Sequence, residues 1–347
     1  NSMAVDLGSG RLVDPLGGKK DLEDSILRVN TADSFTEDPL RIMRGVQFMA
    51  RFALEVEEET GDSMKRHARL LDMVSPERSR IEFDKLLTLS ERPSRGLVLM
   101  HETGVMARLI PELDDTWGVE QNEFHEDDVF HHSIKSCDMA PPKLHLRLAA
   151  LFHDLGKVMT KKHLEDRIVF YRHEEESAAL TASIMKRLVY SREMTGRVVH
   201  LVRNHMFFIT GEWSDSAVRR FIAKVGKDHI DDLMELRLAD GGSRGETGRT
   251  TGEEVRYARE RIEKVLESDS AFCRKDLAVG GRDIMEETGI GEGLGLGWVI
   301  DSLLEAVIED PARNRREELL SMARELADEA KKKEEGSRNI GVRGNAG

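Results

Sequence analysis

The sequence predicts a mostly α protein with the remnant of a small α/β unit at its start. Strand-like alternation is confined to residues before Asn30, and from Thr36 onward apolar residues recur at helical spacing almost without a break. A further observation marks where chemistry is to be sought: most of the twelve histidines lie between residues 128 and 240, among apolar helices.

Residues 2 to 14 read as a hairpin, "MAVDL" and "RLVD" around a "GSG" turn whose glycines supply the backbone angles of a tight reversal. The alternation Met3, Val5, Leu7 begins at once after Asn1, as if a strand were entered midway, so the chain is expected to be truncated at its N-terminus. "ILRV" at 26–29 reads as one more short strand. Thr36 is a candidate N-cap with Pro39 in the first turn, and Leu40, Met43, Val46 and Phe48–Phe52 form an apolar face. Helical spacing continues through 62–73, 76–90 and 94–109, punctuated by Pro76, Pro93 and Pro111. An acidic stretch at 112–128 precedes a new unit near Asp127. "GGSRGETGRTTGE" at 241–253 is a linker by composition. A helix at about 253–267, a glycine-rich loop and a helical pair ending near Ala330 follow, and the polar tail after it is expected to be disordered.

Composition excludes several classes. Two distant cysteines, Cys137 and Cys273, support neither a disulfide framework nor a thiolate zinc site, and no apolar run reaches the length that spans a bilayer. A cytoplasmic protein without a membrane partner is expected. A net charge of −13 argues against indiscriminate nucleic-acid binding, so any RNA contact must be local; arginines do gather between 41 and 95.

The most informative segment is "LHLRLAALFHDLGK" at 144–157, an apolar helix ending in His153 and Asp154. Burying an imidazole and a carboxylate without partners costs several kcal/mol, roughly, so something must satisfy them. A hydrogen-bonded core pair would do so, but His131, His132, His173, His205 and Asp240 flank the pair at separate helical positions. Imidazole nitrogens with carboxylate oxygens suit Mn, Fe, Co, Ni or Zn. Lys157 is placed either to balance phosphate charge or to serve as a helix-end dipole partner. In "FTEDPLRIMRGVQFMARF" at 35–52, Asp38, Arg41 and Arg44 share one side of a helix. They read either as ordinary ion pairs or as groups for a base edge and a triphosphate.

The order His, His-Asp, His, His, Asp over roughly 127–245 resembles the HD phosphohydrolase superfamily. That resemblance implies His132, His153, Asp154 and Asp240 as the primary metal site. His132 is preferred to His131 because it precedes the small hydroxyl residue Ser133, and His173 and His205 would extend the site or hold phosphate. "EDPLR" resembles the template motif of bacterial-type CCA-adding tRNA nucleotidyltransferases and poly(A) polymerases. "NSMA" at 1–4, "DPLGGKKDL" at 14–22 and "SPERSRIEFDKLL" at 75–87 follow that family's order. Residues 281–320 are similar to its closing helical domain.

The combined resemblance implies a head remnant at 1–35, a helical neck at 36–122, an HD domain at 123–245, a helical C-terminal domain at 246–330 and a tail at 331–347. It implies that Asp38 and Arg41 pair with incoming C or A, that Arg44 contacts the nucleotide, and that Arg78, Arg80 and Glu82 shape its pocket. Expected partners are tRNA, ATP and CTP; expected cofactors are Mg for nucleotidyl transfer and Mn, Ni, Co, Fe or Zn in the HD site, with His153, Asp154 and Lys157 catalytic. The family's polymerising aspartates lie upstream of this chain's first residue, so a fragment that does not add nucleotides by itself is expected. The alternatives are a stand-alone HD phosphohydrolase acting on cyclic or nucleoside phosphates and a non-catalytic RNA-binding scaffold.

Overall fold

The computed structural model describes residues 3–121, 127–165, 167–207, 213–244, 252–267 and 271–342. The expected hairpin pairs β1 (Ala4–Val5) with β2 (Leu12–Val13) antiparallel, and Gly10 at φ 67 closes the reversal. After α1 (Gly18–Glu23) comes β3 (Ile26–Leu27), the expected third strand. Thr36 is not the expected cap. It lies inside a one-turn α2 (Ser34–Glu37), its hydroxyl donating to the Asp33 carbonyl at 2.8 Å. Pro39 disfavours helical backbone at the residue before it, so Asp38 is extended and separates α2 from α3 (Leu40–Phe52).

A two-residue strand β4 (Glu55–Val56) pairs parallel with β3. It leads to α4 (Glu58–His67), a 3₁₀ turn at Ala68–Met73, α5 (Pro76–Leu89), α6 (Ser94–Glu102), α7 (Val105–Leu109) and α8 (Pro111–Asp114). Ile42, Met43 and Val46 of α3 and Phe83, Leu86 and Leu87 of α5 are buried where these two helices pack.

Asp128 caps α9 (Val129–Met139), accepting from the His131 amide at 2.7 Å. In α10 (Leu144–Phe152) every residue from Leu146 to Phe152 is buried, as expected of a helix apolar on all sides. A short α11 (Lys157–Thr160) then enters a hairpin the helical pattern does not announce, β5 (Lys161–Leu164) with β6 (Arg167–Phe170), in register Lys161 to Phe170. The remaining elements are α12 (His173–Arg187), α13 (Arg192–Asn204), α14 (Asp215–Val225), α15 (Ile230–Gly242), α16 (Gly252–Glu267), α17 (Gly281–Thr288), α18 (Leu294–Glu309) and α19 (Arg316–Val342).

By contact density the chain forms two compact units, one of residues 1–207 and 231–252, the other of 208–230 and 253–347. Residues on both sides of the boundary expected at 122/123 fall in the same compact unit. Buried Arg147 of α10 donates to the Leu87 and Ser90 carbonyls at the end of α5, at 2.7 Å for Ser90, satisfying acceptors that a helix end leaves open. Helix α14 packs in the second compact unit, where Arg219 donates to the Ile308 carbonyl at the end of α18. The core of this unit is Ile284, Val299, Leu303, Val307, Leu319 and Ala323.

The expected linker at 241–253 falls mostly outside the described residues. The tail expected to be disordered from 331 continues α19 as far as Val342, in keeping with its Lys- and Glu-rich composition; its last five residues lie outside the described residues. Among the described residues no helix is long and apolar enough to cross a membrane.

Candidate metal centre and nucleotide cleft

Five helices converge on one buried point in the first unit. His132 comes from α9; His153 and Asp154 follow the end of α10; His173 opens α12; His205 ends α13; Asp240 lies in α15. None of the six is more than 5% exposed. His132 and His153 face each other through their Nε2 atoms at 3.2 Å, and so do His173 and His205 at 3.3 Å. Asp154 stands between the pairs: its Oδ2 is 3.1 Å from His153 and 3.5 Å from His132, its Oδ1 3.2 Å from His173 and 3.8 Å from His205. The Oδ1 of Asp240 closes the first pair, 3.2 Å from His132 and 3.6 Å from His153.

Local geometry decides which ring nitrogen faces inward. The Nδ1 atoms of His153, His173 and His205 each donate to the carbonyl three residues upstream, at 2.8, 2.9 and 2.7 Å. A carbonyl only accepts, so these Nδ1 atoms carry protons and the Nε2 lone pairs point at the centre. Lone pairs facing one another at 3.2–3.3 Å repel unless a cation lies among them. Nitrogens held at about 2.0–2.1 Å by one tetrahedral ion stand about 3.3–3.4 Å apart, so the spacing fits a divalent metal. The Oδ2 of Asp154 is buried without a hydrogen bond of good geometry, although the Lys157 ammonium lies 2.7 Å away. His132, His153 and Asp154 form one metal-capable group, and Asp154, His173 and His205 a second.

Electrostatics agree. Burial opposes the charge on His153, but the Asp154 and Asp240 carboxylates overcome it and push the imidazole up to about 9. His205 is pushed down to about 3 by burial and by the neighbouring His153 charge. Burial works against ionised Asp154 and Asp240, yet the charges of His153 and Lys157 hold Asp154, and those of Arg244 and His153 hold Asp240, well below the usual carboxylate range. Without metal, the proton on His153 supplies the cation this acceptor-lined centre needs.

The first unit also resolves what adjacency in sequence left open. His131 turns away, its Nδ1 2.8 Å from Asp128, and its ring packs on Trp117. Lys157 is not a helix-end dipole partner. It sits in the first turn of α11, 2.7 Å from Asp154, and donates to Gln121 Oε1 at 2.6 Å. Gln121, Arg244 and Ser243 are site residues that sequence reasoning missed: Gln121 and Ser243 meet Lys157 and His132 only on folding, whereas Arg244 stands four residues after Asp240, a local spacing that could have found it.

A separate cleft of about 600 Å³ opens beside α3, lined among others by Thr31, Phe35, Asp38, Arg41, Arg44 and Phe48. Asp38 meets Arg78 at 3.5 Å; Arg41 is steadied by Glu37 at 2.9 Å and the Ser34 carbonyl at 3.1 Å; the Arg44 guanidinium lies over the Phe48 ring at 5.7 Å. Of the expected pocket residues, Asp38, Arg41 and Arg44 line this cleft; Arg78 only reaches its Asp38, Glu82 is buried and accepts from Lys85 at 2.8 Å, and Arg80 points elsewhere. It hydrogen-bonds the Val189 carbonyl and stacks over Tyr190 at 5.2 Å. Positions two apart on a helix face opposite sides, so α5 cannot send both Arg78 and Arg80 to one cleft.

Residues 53–116 match the family described as "Probable RNA and SrmB- binding site of polymerase A", and residues 129–259 match the HD domain family. The A-adding tRNA nucleotidyltransferase of Deinococcus radiodurans is 32% identical over 321 residues, covering 87% of this chain and 72% of the relative. The multifunctional CCA protein of Herminiimonas arsenicoxydans is 38% identical over 213 residues; the match takes 59% of this chain and spans half, 50%, of the relative. Among solved structures, the Bacillus stearothermophilus CCA-adding enzyme in complex with CTP aligns with a TM-score of 0.65 at 20% identity, over 96% of this chain and 72% of that one, a likeness of fold.

Proposed function

We propose, from the premise that this chain belongs to the tRNA nucleotidyltransferase family, that it serves tRNA 3′-end processing with two chemically separate sites. One is the cleft beside α3, where CTP and ATP are selected; the other is the buried centre, a metal-dependent phosphohydrolase. Both act in the cytoplasm on nucleotide and tRNA substrates.

In the cleft, the Asp38 carboxylate accepts from a base amino group while Arg41 donates to a ring acceptor, a pairing that tells C and A from U and G by donor and acceptor order. Glu37 and the Ser34 carbonyl hold the Arg41 guanidinium in one orientation, so less ordering remains to be done on binding. Arg44 meets the triphosphate, which Mg accompanies.

The convergence of four imidazole Nε2 atoms and two carboxylates at one buried point carries the hydrolase reading. His132, His153, Asp154 and Asp240 would hold the first metal, with Asp154, His173 and His205 extending the site. A metal of the Mn, Fe, Co, Ni or Zn kind supplies a water acidic enough to act as hydroxide near neutral pH and polarises the phosphoryl oxygen. The chain's own residues do the rest. The charges of His153 and Lys157 keep Asp154 ionised, the backbone carbonyls hold ring protons on Nδ1 of His153, His173 and His205, and burial excludes bulk water.

The test is hydrolysis of 2′,3′-cyclic AMP by the metal-stripped chain after addition of Mn, Ni, Co or Mg. Turnover that disappears in the His153→Ala, Asp154→Ala double variant supports the reading; no turnover with any of the four metals sinks it. A stand-alone phosphohydrolase would keep that turnover but bind neither CTP nor ATP in the cleft, so nucleotide binding lost in Asp38→Ala separates the two readings.

A further inference from the structure

The geometry points to Ser243 as a positioning residue of the buried centre: its hydroxyl fixes His132 as the Nδ1–H tautomer and keeps Nε2 available as a ligand. This rests on the metal-centre reading above.

His132 differs from its three companions. Their Nδ1 atoms face backbone carbonyls, which only accept and therefore settle the tautomer. The Nδ1 of His132 lies 3.0 Å from the Ser243 hydroxyl. A hydroxyl either donates or accepts, so this contact alone leaves the ring proton undecided. The other contacts of Ser243 decide it. Its oxygen is 2.7 Å from the Asp240 backbone carbonyl, an acceptor with no proton to give. The single Ser243 proton goes there. Two lone pairs remain, and two groups face them: the Ser136 hydroxyl at 2.7 Å and His132 Nδ1 at 3.0 Å. Both must donate, so Nδ1 carries the proton and Nε2, 3.2 Å from Asp240 and from His153 Nε2, keeps its lone pair.

The arrangement is buried, Ser136 at 0% and Ser243 at 8% exposure, so water does not readily replace a missing partner. It also links two members of the centre. Ser243 holds the backbone of Asp240 with its proton and the ring of His132 with its lone pair, so α9 and the end of α15 are locked in one register. Partners of this kind typically change metal affinity by roughly 10- to 100-fold when removed.

The experiment uses the full chain labelled with nitrogen-15 at histidine, stripped of metal, with the His132 signal assigned by its loss in His132→Asn. The Nδ1–H pattern is expected for His132 in the unsubstituted protein, and an Nε2–H pattern there overturns the proposal without need of a serine variant. Cobalt titration follows. Ser243→Ala is expected to bind roughly 10- to 100-fold more weakly with a mixed tautomer signal, and Ser243→Thr, which keeps the hydroxyl, to restore both. Binding by Ser243→Ala as tight as the unsubstituted chain overturns the proposal. If the unsubstituted chain binds no cobalt, the metal reading falls, while the tautomer signal still decides the part played by Ser243.

Discussion

His153 and His205 lie in one cluster yet hold protons over opposite ranges, and the difference sets how the metal-free protein responds to pH. The folded state raises His153 from 6.5 to about 9, so its contribution is complete below pH 6.5 and is lost as pH rises toward 9. It lowers His205 from 6.5 to about 3, so that contribution is present above pH 6.5 and is lost as pH falls toward 3. Lowered Asp154 and Asp240 add to the acid-side loss. Thermal midpoints measured in chelator are expected to peak between about pH 6 and 7; a midpoint still climbing between about pH 7 and 9 would contradict the charge state assigned to His153. Arg80 gives a second prediction. Its partners are the Val189 carbonyl and the Tyr190 ring, so Arg80→Ala should cost about 1–3 kcal/mol of stability and leave CTP affinity unchanged, whereas Arg78→Ala, beside Asp38, should weaken CTP several-fold. Urea melts and nucleotide titrations on both variants check this, and a loss of CTP binding in Arg80→Ala would return that residue to the cleft.

Among the elements, the turn between α10 and α11 is the most constrained. A Cβ on Gly156 would stand 2.4 Å from the His173 carbonyl oxygen and 2.7 Å from the Ser177 amide, both backbone atoms of α12. The glycine is there for close approach, since its φ of −67 suits any residue. Gly156→Ala must therefore push α12, and His173 with it, away from Asp154. A loss of about 1–3 kcal/mol together with weaker metal binding is expected, checked by thermal melting and a competition titration against a chelator; a variant that melts and binds as before would show that α12 moves freely. Legibility in the sequence follows the same physics. Long apolar helices and the His-Asp order were readable because periodicity and spacing are local. The β5–β6 hairpin was not, because "KKHL" has no apolar alternation, and β4 is only two residues long. Arg80 was misplaced because a motif names residues without their angular position on α5. Ser243 and Gln121 were invisible because their partners lie 111 and 36 residues away.

At the scale of the whole molecule, all six residues that converge on the buried centre, His132, His153, Asp154, His173, His205 and Asp240, belong to the first unit, although Asp240 returns to it after the chain has passed through the second. A ligand that binds only the folded state stabilises by RT ln(1 + [L]/Kd), about 2.7 kcal/mol at a hundred times Kd. That gain falls on the unit that holds the site. The second unit has its own apolar core, Ile284, Val299, Leu303 and Val307 among it, and none of those six residues. Calorimetry with and without cobalt or manganese should thus raise the unfolding temperature of the part containing His153, while a local probe in the second unit, such as hydrogen exchange of α18 amides, stays unchanged at temperatures below both transitions. The His153→Ala, Asp154→Ala chain should lose the shift and keep the exchange pattern. Metal that protects α18 as strongly as α10 would mean that the two units open together, and the stability of the centre would then report on the entire chain.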